Sequence, residues 1–492
     1  MFLNTFFKRY SFPIIITLFF VYVLIEKLLI FYNFRLGFFD LYYYDHACWN
    51  ITQGLGPWLE YFNKSFLADH FYAFLYLIAP FYYLVPSPVW LFIAHTLVML
   101  FTLIPILKVA RENFGTKGLW ITFFMMMATY TFRNQINQDL HGDIVMAPII
   151  AWVVYALIHN RYRTVLILTL LLPFTKENAG LTMIMIGVYL LLFRRKWVYG
   201  ISIILLGVGS MYVLVHLIIP YFNGGTYRHV AWFRQFGATF GEQLHTILYH
   251  PMVVINYLLT APRIAYVAAM FIPLLGLPFF SSYFILSLGI LAQNLLAYGV
   301  VTIDIGGHYS AGLVPIFAIA TLLVFSNIKK TWSVRKYEIF LCWFKGISTF
   351  FIVLNILIFI FMEIRLFWIT PHVRAANEAL LLIPKDKSVS ASAIFYAHLH
   401  YRKNIIFFPK IENADFIIVE DRDKIIPDDV DPKESIKKMW KNKEYGAVFY
   451  YLIFAQYGSA ESLNKQTINN LQHDTNYSLI FNKKDVLVYK HK

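Results

Sequence analysis

Long apolar runs alternate with short polar segments along the first 370 residues. A helix of about 20 apolar residues, rising 1.5 Å per residue, crosses the hydrocarbon core of a bilayer, and somewhat shorter runs are tolerated. We predict about 11 transmembrane helices, and hence a polytopic α-helical membrane protein. The predicted spans are 13–30, 88–107, 118–132, 144–159, 164–177, 178–193, 197–219, 263–280, 283–301, 308–325 and 339–362.

Basic clusters between the apolar runs predict the orientation of these spans. Lysine and arginine concentrate in cytoplasmic loops, and a cytoplasmic N-terminus places every cluster on that side. The first run, 13–30, is long for a signal peptide and lacks a small-residue cleavage site, so we interpret it as a retained signal anchor. The clusters are Lys8 and Arg9; Lys108, Arg111 and Lys117; Arg161 and Arg163; Arg194, Arg195 and Lys196; and Lys329, Lys330, Arg335 and Lys336.

Two further apolar segments do not fit as spans. Counting 71–85 as a crossing would move Lys108 and its neighbours outside, so we predict a re-entrant or interfacial helix there. The segment 242–262 carries several ionisable residues and is open to the same two interpretations. We divide the chain into a transmembrane domain, 1–370, with a long first outer loop, 31–87, and a C-terminal domain, 371–492.

The C-terminal domain has a different pattern. Short β-type runs at 388–392, 404–408 and 415–419 and a closing hairpin at 477–489 predict a water-soluble α/β domain. Because the N-terminus is expected in the cytoplasm and the number of preceding spans is odd, this domain is expected to be extracytoplasmic. The localisation expected for the whole chain is the plasma membrane.

Composition supports this interpretation and excludes others. The chain is 59% hydrophobic and only 14% charged, whereas about a quarter of the residues of soluble proteins are charged. Membrane topology explains the net charge of +14 better than a nucleic-acid partner does. Two cysteines, Cys48 and Cys342, are too few for a disulfide framework or a cysteine metal site.

Ionisable residues gather on the predicted outer side. Such groups near hydrocarbon cost several kcal/mol unless they are paired or hydrated, so their repeated placement requires an explanation. Solvated outer loops would explain single residues, but less easily the whole set. The set comprises Asp40, Asp45, Glu60, Asp69, His70, Asp139, His141, Asp143, Lys176, Glu177, Glu242, Asp304, His308 and Glu363.

The first outer loop contains the two candidate catalytic residues, Asp40 and Asp45. On a helix they would lie about 140° apart, but a turn near 37–42 could bring both carboxylates to one centre. Two carboxylates with an imidazole would suit Mg²⁺ or Mn²⁺. Either carboxylate alone could serve as a general base, and helix capping is the simpler alternative for each.

Four later motifs supply candidate binding residues. Asp139, His141 and Asp143 precede a predicted helix, for which Asp143 could be a cap. Lys176 and Glu177 interrupt a long apolar stretch, where the ammonium could hold a lipid phosphate or merely form an ion pair that stabilises the turn. The pair His308 and Tyr309 opens the tenth predicted helix, and Asp69 and His70 complete the set.

These motifs carry a resemblance to a known family. The segment 39–50 fits Phe-Asp-Leu-x-x-Tyr-Asp-x-Ala-x-Trp-Asn, and 69–82, 139–141, 176–177, 307–315 and 414–419 match further motifs. Together they resemble the membrane proteins of domain of unknown function 2079, over about residues 30–425. Asn178 stands where that family commonly has Asp, and Leu140 where it has Phe.

That family is similar to the GT-C glycosyltransferases, which take sugars from polyprenyl-phosphate donors. The resemblance implies a GT-C-like fold with Asp45 or Asp40 as the catalytic or metal-binding carboxylate and Lys176 contacting the donor phosphate. His70, His141 and His308 would line the site. The expected partners are a polyprenyl-phosphate sugar donor, a lipid, glycan or protein acceptor, and membrane lipid.

Two other functions remain open at this stage. A transporter or flippase for a lipid-linked or small solute would place ionisable residues near the midplane and often has two similar halves. The sequence has no evident repeat, and its ionisable residues are mostly at one face. A non-catalytic binding protein would use the C-terminal domain for recognition.

Overall fold

The computed structural model describes two compact units, one made of Met1–Tyr32 and Tyr43–Phe367 and the other of Asn33–Tyr42 and Trp368–Lys492. Its described residues are 2–34, 38–59, 63–225, 227–340, 367–402, 404–421 and 461–492, with isolated residues between 341 and 366.

Helices dominate the first unit. They are α1 (Phe2–Tyr32), α2 (Phe38–Thr52, shared with the second unit), α3 (Leu75–Ile78), α4 (Val89–Ala128), α5 (Tyr130–Asn137), α6 (Gly142–Ile158), α7 (Tyr162–Thr169), α8 (Ala179–Arg194), α9 (Trp197–Val213), α10 (Ile219–Asn223), α11 (Phe240–Tyr249), α12 (Pro251–Leu258), α13 (Ala261–Phe271), α14 (Leu288–Leu296) and α15 (Leu313–Thr331). Strands β1 (Trp58–Leu59) and β2 (Lys64–Ser65) form a short antiparallel pair.

Among the described residues, four helical segments are long and apolar enough to cross a membrane: Arg9–Tyr32, Val89–Ala128, Trp197–Asn223 and His308–Thr331. A fifth is added if the bent pair Pro251–Leu258 and Ala261–Leu274 forms one span. Shorter apolar helices occur at Gly142–Ile158, Tyr162–Phe174, Ala179–Arg194 and Ser282–Leu296. The structure is therefore that of a multi-pass membrane protein, but it does not confirm the predicted count of 11.

Breaks within the apolar runs account for the difference. Predicted spans 88–107 and 118–132 lie mostly within α4, where Gly115 has non-helical dihedrals and separates two helices that are counted here as one segment. The run 263–280 leaves helical geometry after Phe271, where Pro273 and Pro278 cannot donate helix hydrogen bonds. The eleventh predicted span, 339–362, lies largely outside the described residues.

The two ambiguous segments form short helices. Within 71–85, helix α3 is followed by a 3₁₀ helix at Ala79–Tyr83, and together they are too short to cross the hydrocarbon core. Within 242–262, helices α11 and α12 meet at His250, and Pro251 begins the second of them.

Helices α8 and α9 pack very closely because glycines lie at their interface. A Cβ atom added to Gly180 would lie 2.5 Å from the carbonyl oxygen of Gly207, and one on Gly187 would lie 2.6 Å from that of Gly200. Small residues allow such close approach of helices in membranes. The apolar core of this unit also includes fully buried side chains of α1, α4, α6 and α15.

The second unit contains a five-stranded sheet in the order β4-β3-β5-β7-β6. Its strands are β3 (Val389–Ala391), β4 (Ile405–Phe407), β5 (Phe416–Glu420), β6 (Tyr477–Lys483) and β7 (Val486–His491), with helices α16 (Pro371–Leu381), α17 (Ala393–Leu399) and α18 (Glu461–His473). The first three strands are mutually parallel, and β7 runs antiparallel to its neighbours.

Local sequence explains the hairpin that closes the sheet. Lys484 and Asp485 both have positive φ, the conformation required by the tight turns that join twisted strands. Strands β3 and β4 lie within the runs predicted at 388–392 and 404–408, and β5 extends one residue beyond the run predicted at 415–419. Ile417, Val419 and Leu487 pack into the apolar core on one face of the sheet.

Candidate functional site

A buried ion pair joins two of the predicted motifs. The Nζ atom of Lys176 lies 2.6 Å from Oδ2 of Asp143, and both side chains are only 4% exposed. Asp143 lies in the first turn of α6, whereas Lys176 precedes α8, after the 3₁₀ helix Leu172–Phe174. His141, not Asp143, is the N-cap of α6, and its side chain makes no capping bond. Lys176 therefore pairs with a distant carboxylate and not with its neighbour Glu177.

His308 and Tyr309 bring a third segment to this pair. Nε2 of His308 lies 3.8 Å from Oδ2 of Asp143, and the Lys176 ammonium lies 5.0 Å from the centre of the Tyr309 ring. A cation facing an aromatic ring is attracted by its quadrupole, most strongly where water is excluded. The cluster is thus cationic, aromatic and largely desolvated.

The two predicted histidines of this region lie against each other. The rings of His141 and His308 are parallel within 6°, with centroids 3.6 Å apart. Tyr44 of α2 lies with its hydroxyl 2.9 Å from Nδ1 of His141, and Tyr72 stacks on Tyr44 at 5.6 Å. Tyr72 connects this cluster to the next, because it also stacks on His70 at 5.2 Å.

Glu177 organises that second cluster. Its carboxylate accepts hydrogen bonds from the backbone N–H of Phe71 at 3.2 Å and the hydroxyl of Tyr227 at 2.8 Å, and it contacts Nδ1 of His70 at 2.8 Å. Burial alone would raise the pKa of Glu177. The charge and hydrogen bond of His70 and the charges of Lys176 and His229 outweigh burial and hold this pKa well below its usual range. Glu177 is therefore an anion held by two other segments, the loop at 70–71 and the segment that begins at Tyr227.

Asp69 forms a neighbouring set of contacts. Its Oδ1 atom lies 2.8 Å from Nε2 of His229, and Oδ2 pairs with the largely exposed Arg228. Burial raises the pKa of Asp69, but the His229 hydrogen bond and the charges of His70, His229 and Arg228 outweigh it, giving about 2. Burial lowers the pKa of His229. The rings of His70 and His229 stack 4.4 Å apart.

The candidate catalytic residues both lie on α2. That helix is continuous from Phe38, so the described backbone has no turn at 38–42, and five helical positions separate Asp40 from Asp45 by about 140°. No glycine or proline within the helix interrupts it. Asp45 is fully buried and accepts a hydrogen bond from the Tyr82 hydroxyl. Its burial means that a substrate reaches it only when its surroundings open.

Asp139 lies beside buried charges of the first helix. Lys27 donates to the carbonyl oxygen of Gln138, adjacent to Asp139, and Arg133 pairs with Glu26 at 2.8 Å. These groups lie near the end of α1 and in α5. Asp139 thus belongs to a network that ties α1 to α5, separate from the Lys176–Asp143 pair.

Several residues of the two clusters were absent from the sequence prediction. Tyr72 and Tyr227 supply the ring and hydroxyl contacts described above, and Arg228 and His229 hold Asp69. The polar run 227–229 follows an apolar helix, as Lys176 and Glu177 do. This position in the sequence was the signal that could have identified Tyr227, Arg228 and His229.

An apolar groove adjoins the polar clusters. It has a volume of about 480 Å³ and contains almost no polar surface. Phe71, which donates to Glu177, and Phe174, two residues before Lys176, line one side of it. The remaining lining includes Met183 of α8 and Leu206 of α9. Its surface is suited to hydrocarbon.

Two solved structures resemble the fold. Both are of ArnT from Cupriavidus metallidurans, one bound to undecaprenyl phosphate and one in the apo state. The bound form has a TM-score of 0.46 at 13% identity, and the apo form 0.47 at 12%. In each case the match covers 96% of this chain and 97% of the other. Because both TM-scores lie below 0.5, the likeness gives no evidence on function.

No curated protein matches the sequence of this chain. A family model described as a predicted membrane protein does match, and it extends over residues 30–488. This match agrees with the resemblance carried by the motifs, and it continues beyond residue 425 through the closing hairpin of the second unit. The chain belongs to DUF2079, a family of predicted membrane proteins.

Proposed function

We propose that this protein is a membrane glycosyltransferase that moves a sugar from a polyprenyl-phosphate donor to an acceptor on the extracytoplasmic face. The acceptor would be a lipid, a glycan or a protein. The observation that carries the proposal is the position of Lys176, a nearly fully buried ammonium in a cluster of polar and aromatic groups beside an apolar groove.

A buried ammonium requires an anionic partner. Lys176 has one in Asp143, but an ammonium has three donors, and a phosphate oxygen could join or replace that carboxylate. The parallel rings of His141 and His308 lie next to the pair and offer further nitrogen donors. This arrangement supports binding of a phosphate at the junction of α6 and α8.

The groove supports a hydrocarbon tail on the same ligand. Phe174 lines it, and the chain continues from there through Thr175 to Lys176. A ligand with a phosphate at Lys176 could therefore lay an apolar chain between α8 and α9. Such an amphiphile is the shape of a polyprenyl phosphate, and because its chain already lies in hydrocarbon before binding, the groove would contribute close packing and not removal from water.

In the proposed reaction, Asp45 and Lys176 each carry out one step. The acceptor hydroxyl attacks the anomeric carbon, its proton passes to Asp45 (or Asp40) as general base, and the bond from that carbon to the phosphate oxygen breaks. Lys176 stabilises the negative charge that develops on the departing phosphate. Asp45 is buried, so the short segment 79–83 that carries Tyr82 must open before the acceptor reaches it.

The test uses the purified full chain in lipid nanodiscs with undecaprenyl phosphate carrying radiolabelled sugars. The expected result is release of undecaprenyl phosphate with transfer of the label to an added envelope lipid or glycan. Lys176→Met should abolish release, whereas Lys64→Met, a matched lysine on β2, should retain it. Equal release by the wild type and Lys176→Met would contradict the proposal.

A transporter is the second candidate, and one observation favours it. Glu26 and Lys27 are buried charges within a membrane-spanning helix, as transporters often have. However, Glu26 is six residues from the end of α1, or about 9 Å, and not at the midplane. Solute uptake into vesicles without formation of a new glycosidic bond would favour transport over transfer.

A further inference from the structure

Three side chains with metal-binding atoms meet beside the Glu177 cluster. Asp69, His70 and His229 each offer one ligand atom, and these atoms lie within 4.8 Å of one another. Asp69 and His70 follow the 3₁₀ helix Phe66–Ala68, whereas His229 lies in the 3₁₀ helix Arg228–Phe236. We propose that these three residues bind a divalent cation of the zinc type and leave one coordination position open.

The donor set selects the class of cation. Two imidazoles and one carboxylate, with an open fourth position, are the ligands of many open zinc sites. Mg²⁺ and Ca²⁺ prefer sites made entirely of oxygen atoms. The site is also different from the Mg²⁺ or Mn²⁺ centre predicted at Asp40 and Asp45, because it shares no residue with it.

The distance between two of the ligand atoms requires only a small adjustment. Nε2 of His229 lies 2.8 Å from Oδ1 of Asp69. Ligands of a tetrahedral zinc ion, with bonds of about 2.0–2.1 Å, lie about 3.3 Å apart. The cation would replace the proton shared by these two atoms and separate them by about half an ångström. The rings of His70 and His229 are stacked 4.4 Å apart and within 12° of parallel, so one ring must rotate before both nitrogen lone pairs point at one ion.

In the loop at 69–70, each of the two ligands is already oriented by another residue. Nδ1 of His70 contacts Glu177, so Nε2 is the nitrogen left for the cation. Histidines that bind metals commonly donate their other ring N–H to a carboxylate in this way. Oδ2 of Asp69 is held by Arg228, which leaves Oδ1. Asp69 and Glu177 together supply two negative charges to balance the divalent cation.

The consequence is a link between three separate loops. The loop at 69–70, the junction at Glu177 and the segment 227–229 would be joined through one ion, and its open position would accept a water or an oxygen of a ligand. The inference does not rest on the proposed glycosyl transfer, because metal binding is measured without any substrate.

The first test measures zinc binding by the purified full chain in detergent, with no polyhistidine tag. The protein is stripped with EDTA and titrated with ZnSO₄ by calorimetry. We expect one tight site, lost in His229→Ala and in His70→Ala. Glu177→Gln, which removes the orienting carboxylate, should weaken binding by about 10–100-fold. Equal binding by the wild type and a His70→Ala/His229→Ala double variant would overturn the proposal.

Two controls keep the outcome decisive. His245→Ala removes one of a pair of exposed histidines whose rings lie 5.5 Å apart, and it should leave the tight site intact. Cobalt absorption is measured on the wild type, so it does not depend on whether a variant folds. Intense visible bands of tetrahedral Co²⁺ that disappear on addition of ZnSO₄ would support the site, and their absence would overturn it.

Discussion

Lys176 and Asp143 form a nearly dehydrated ion pair, with Nζ of the lysine 2.6 Å from Oδ2 of the aspartate. Thirty-three residues separate them, and the pair fixes the start of α6 against the segment that leads into α8. Removal of two charges from water is costly, so such a pair is weak evidence for stability by itself. Its position among aromatic and imidazole groups is the basis for the proposed role in binding.

Lys176→Met should destabilise the protein by about 3–5 kcal/mol, because Asp143 would be left as an uncompensated buried charge. The double variant Lys176→Met/Asp143→Asn should recover a large part of that loss, since no charge is then unpaired. Thermal unfolding in detergent measures both effects. If the double variant is as unstable as the sum of the single variants, the two residues do not interact in the way described.

Asp69 should make stability depend on pH in the acidic range. Its pKa of about 2 in the folded protein lies below the ordinary value of 3.8, so its contribution is present above pH 4 and is lost as pH falls towards 2. A shift of this size corresponds to roughly 2 kcal/mol. The midpoint of thermal unfolding should therefore fall as the pH is lowered from 4 to 2.

Asp69→Asn is the matched variant for this prediction. It should show a smaller fall over the same interval, because the amide does not titrate. Asp304→Asn, at an exposed position, should retain the wild-type dependence. A wild-type slope that Asp69→Asn leaves unchanged would assign the effect to other carboxyl groups.

The sequence predicted that separated loops would come together, and several of them do. Charges within apolar runs are rarely accidental, so His141, Lys176 and His308 stood out from their surroundings. The structure brings these three into one cluster. Their partners were harder to identify, because contacts such as Lys176–Asp143 join distant segments and leave no periodic pattern. Tyr72 and Tyr227 are two of 34 tyrosines, and composition alone does not distinguish them.

The number of long helices could not be predicted from apolar length alone. The polar stretch 108–117 is helical except at Gly115, whose non-helical dihedrals divide α4 into two helices. Pro173 and Pro273 end apolar helices early, although the runs 164–177 and 263–280 that contain them remain apolar. Hydropathy measures the preference for lipid, whereas these breaks depend on single backbone positions.

Gly142→Ala should disturb the site without changing any of its charges. A Cβ atom at this position would lie 2.3 Å from the carbonyl oxygen of Thr175 and 2.5 Å from Cε1 of Tyr72. The backbone of Thr175 would have to move, and Lys176 is the next residue. We expect a loss of thermal stability of about 1–3 kcal/mol, as for other overpacked sites, and weaker binding of undecaprenyl phosphate.

Gly241→Ala provides the comparison for that variant. It lies in α11 with no heavy atom within 4 Å of the added Cβ, so alanine should be neutral or slightly stabilising in that helix. Equal behaviour of the two variants would show that the contact at Gly142 does not position Lys176.

Asp45→Asn should abolish sugar transfer while the protein remains folded, because the amide keeps the shape of the carboxylate but cannot accept a proton. Tyr82→Phe removes the hydroxyl that donates to Asp45 and should retain transfer, because the carboxylate that accepts the proton is still present. The measurement is the rate of undecaprenyl-phosphate release from a labelled donor between pH 5 and pH 9. Size-exclusion chromatography and the unfolding midpoint check folding. Wild-type turnover by Asp45→Asn would show that Asp45 has no part in the mechanism. Loss of transfer in both Asp45→Asn and Tyr82→Phe, with normal folding, would show that the hydrogen bond between the two residues is essential.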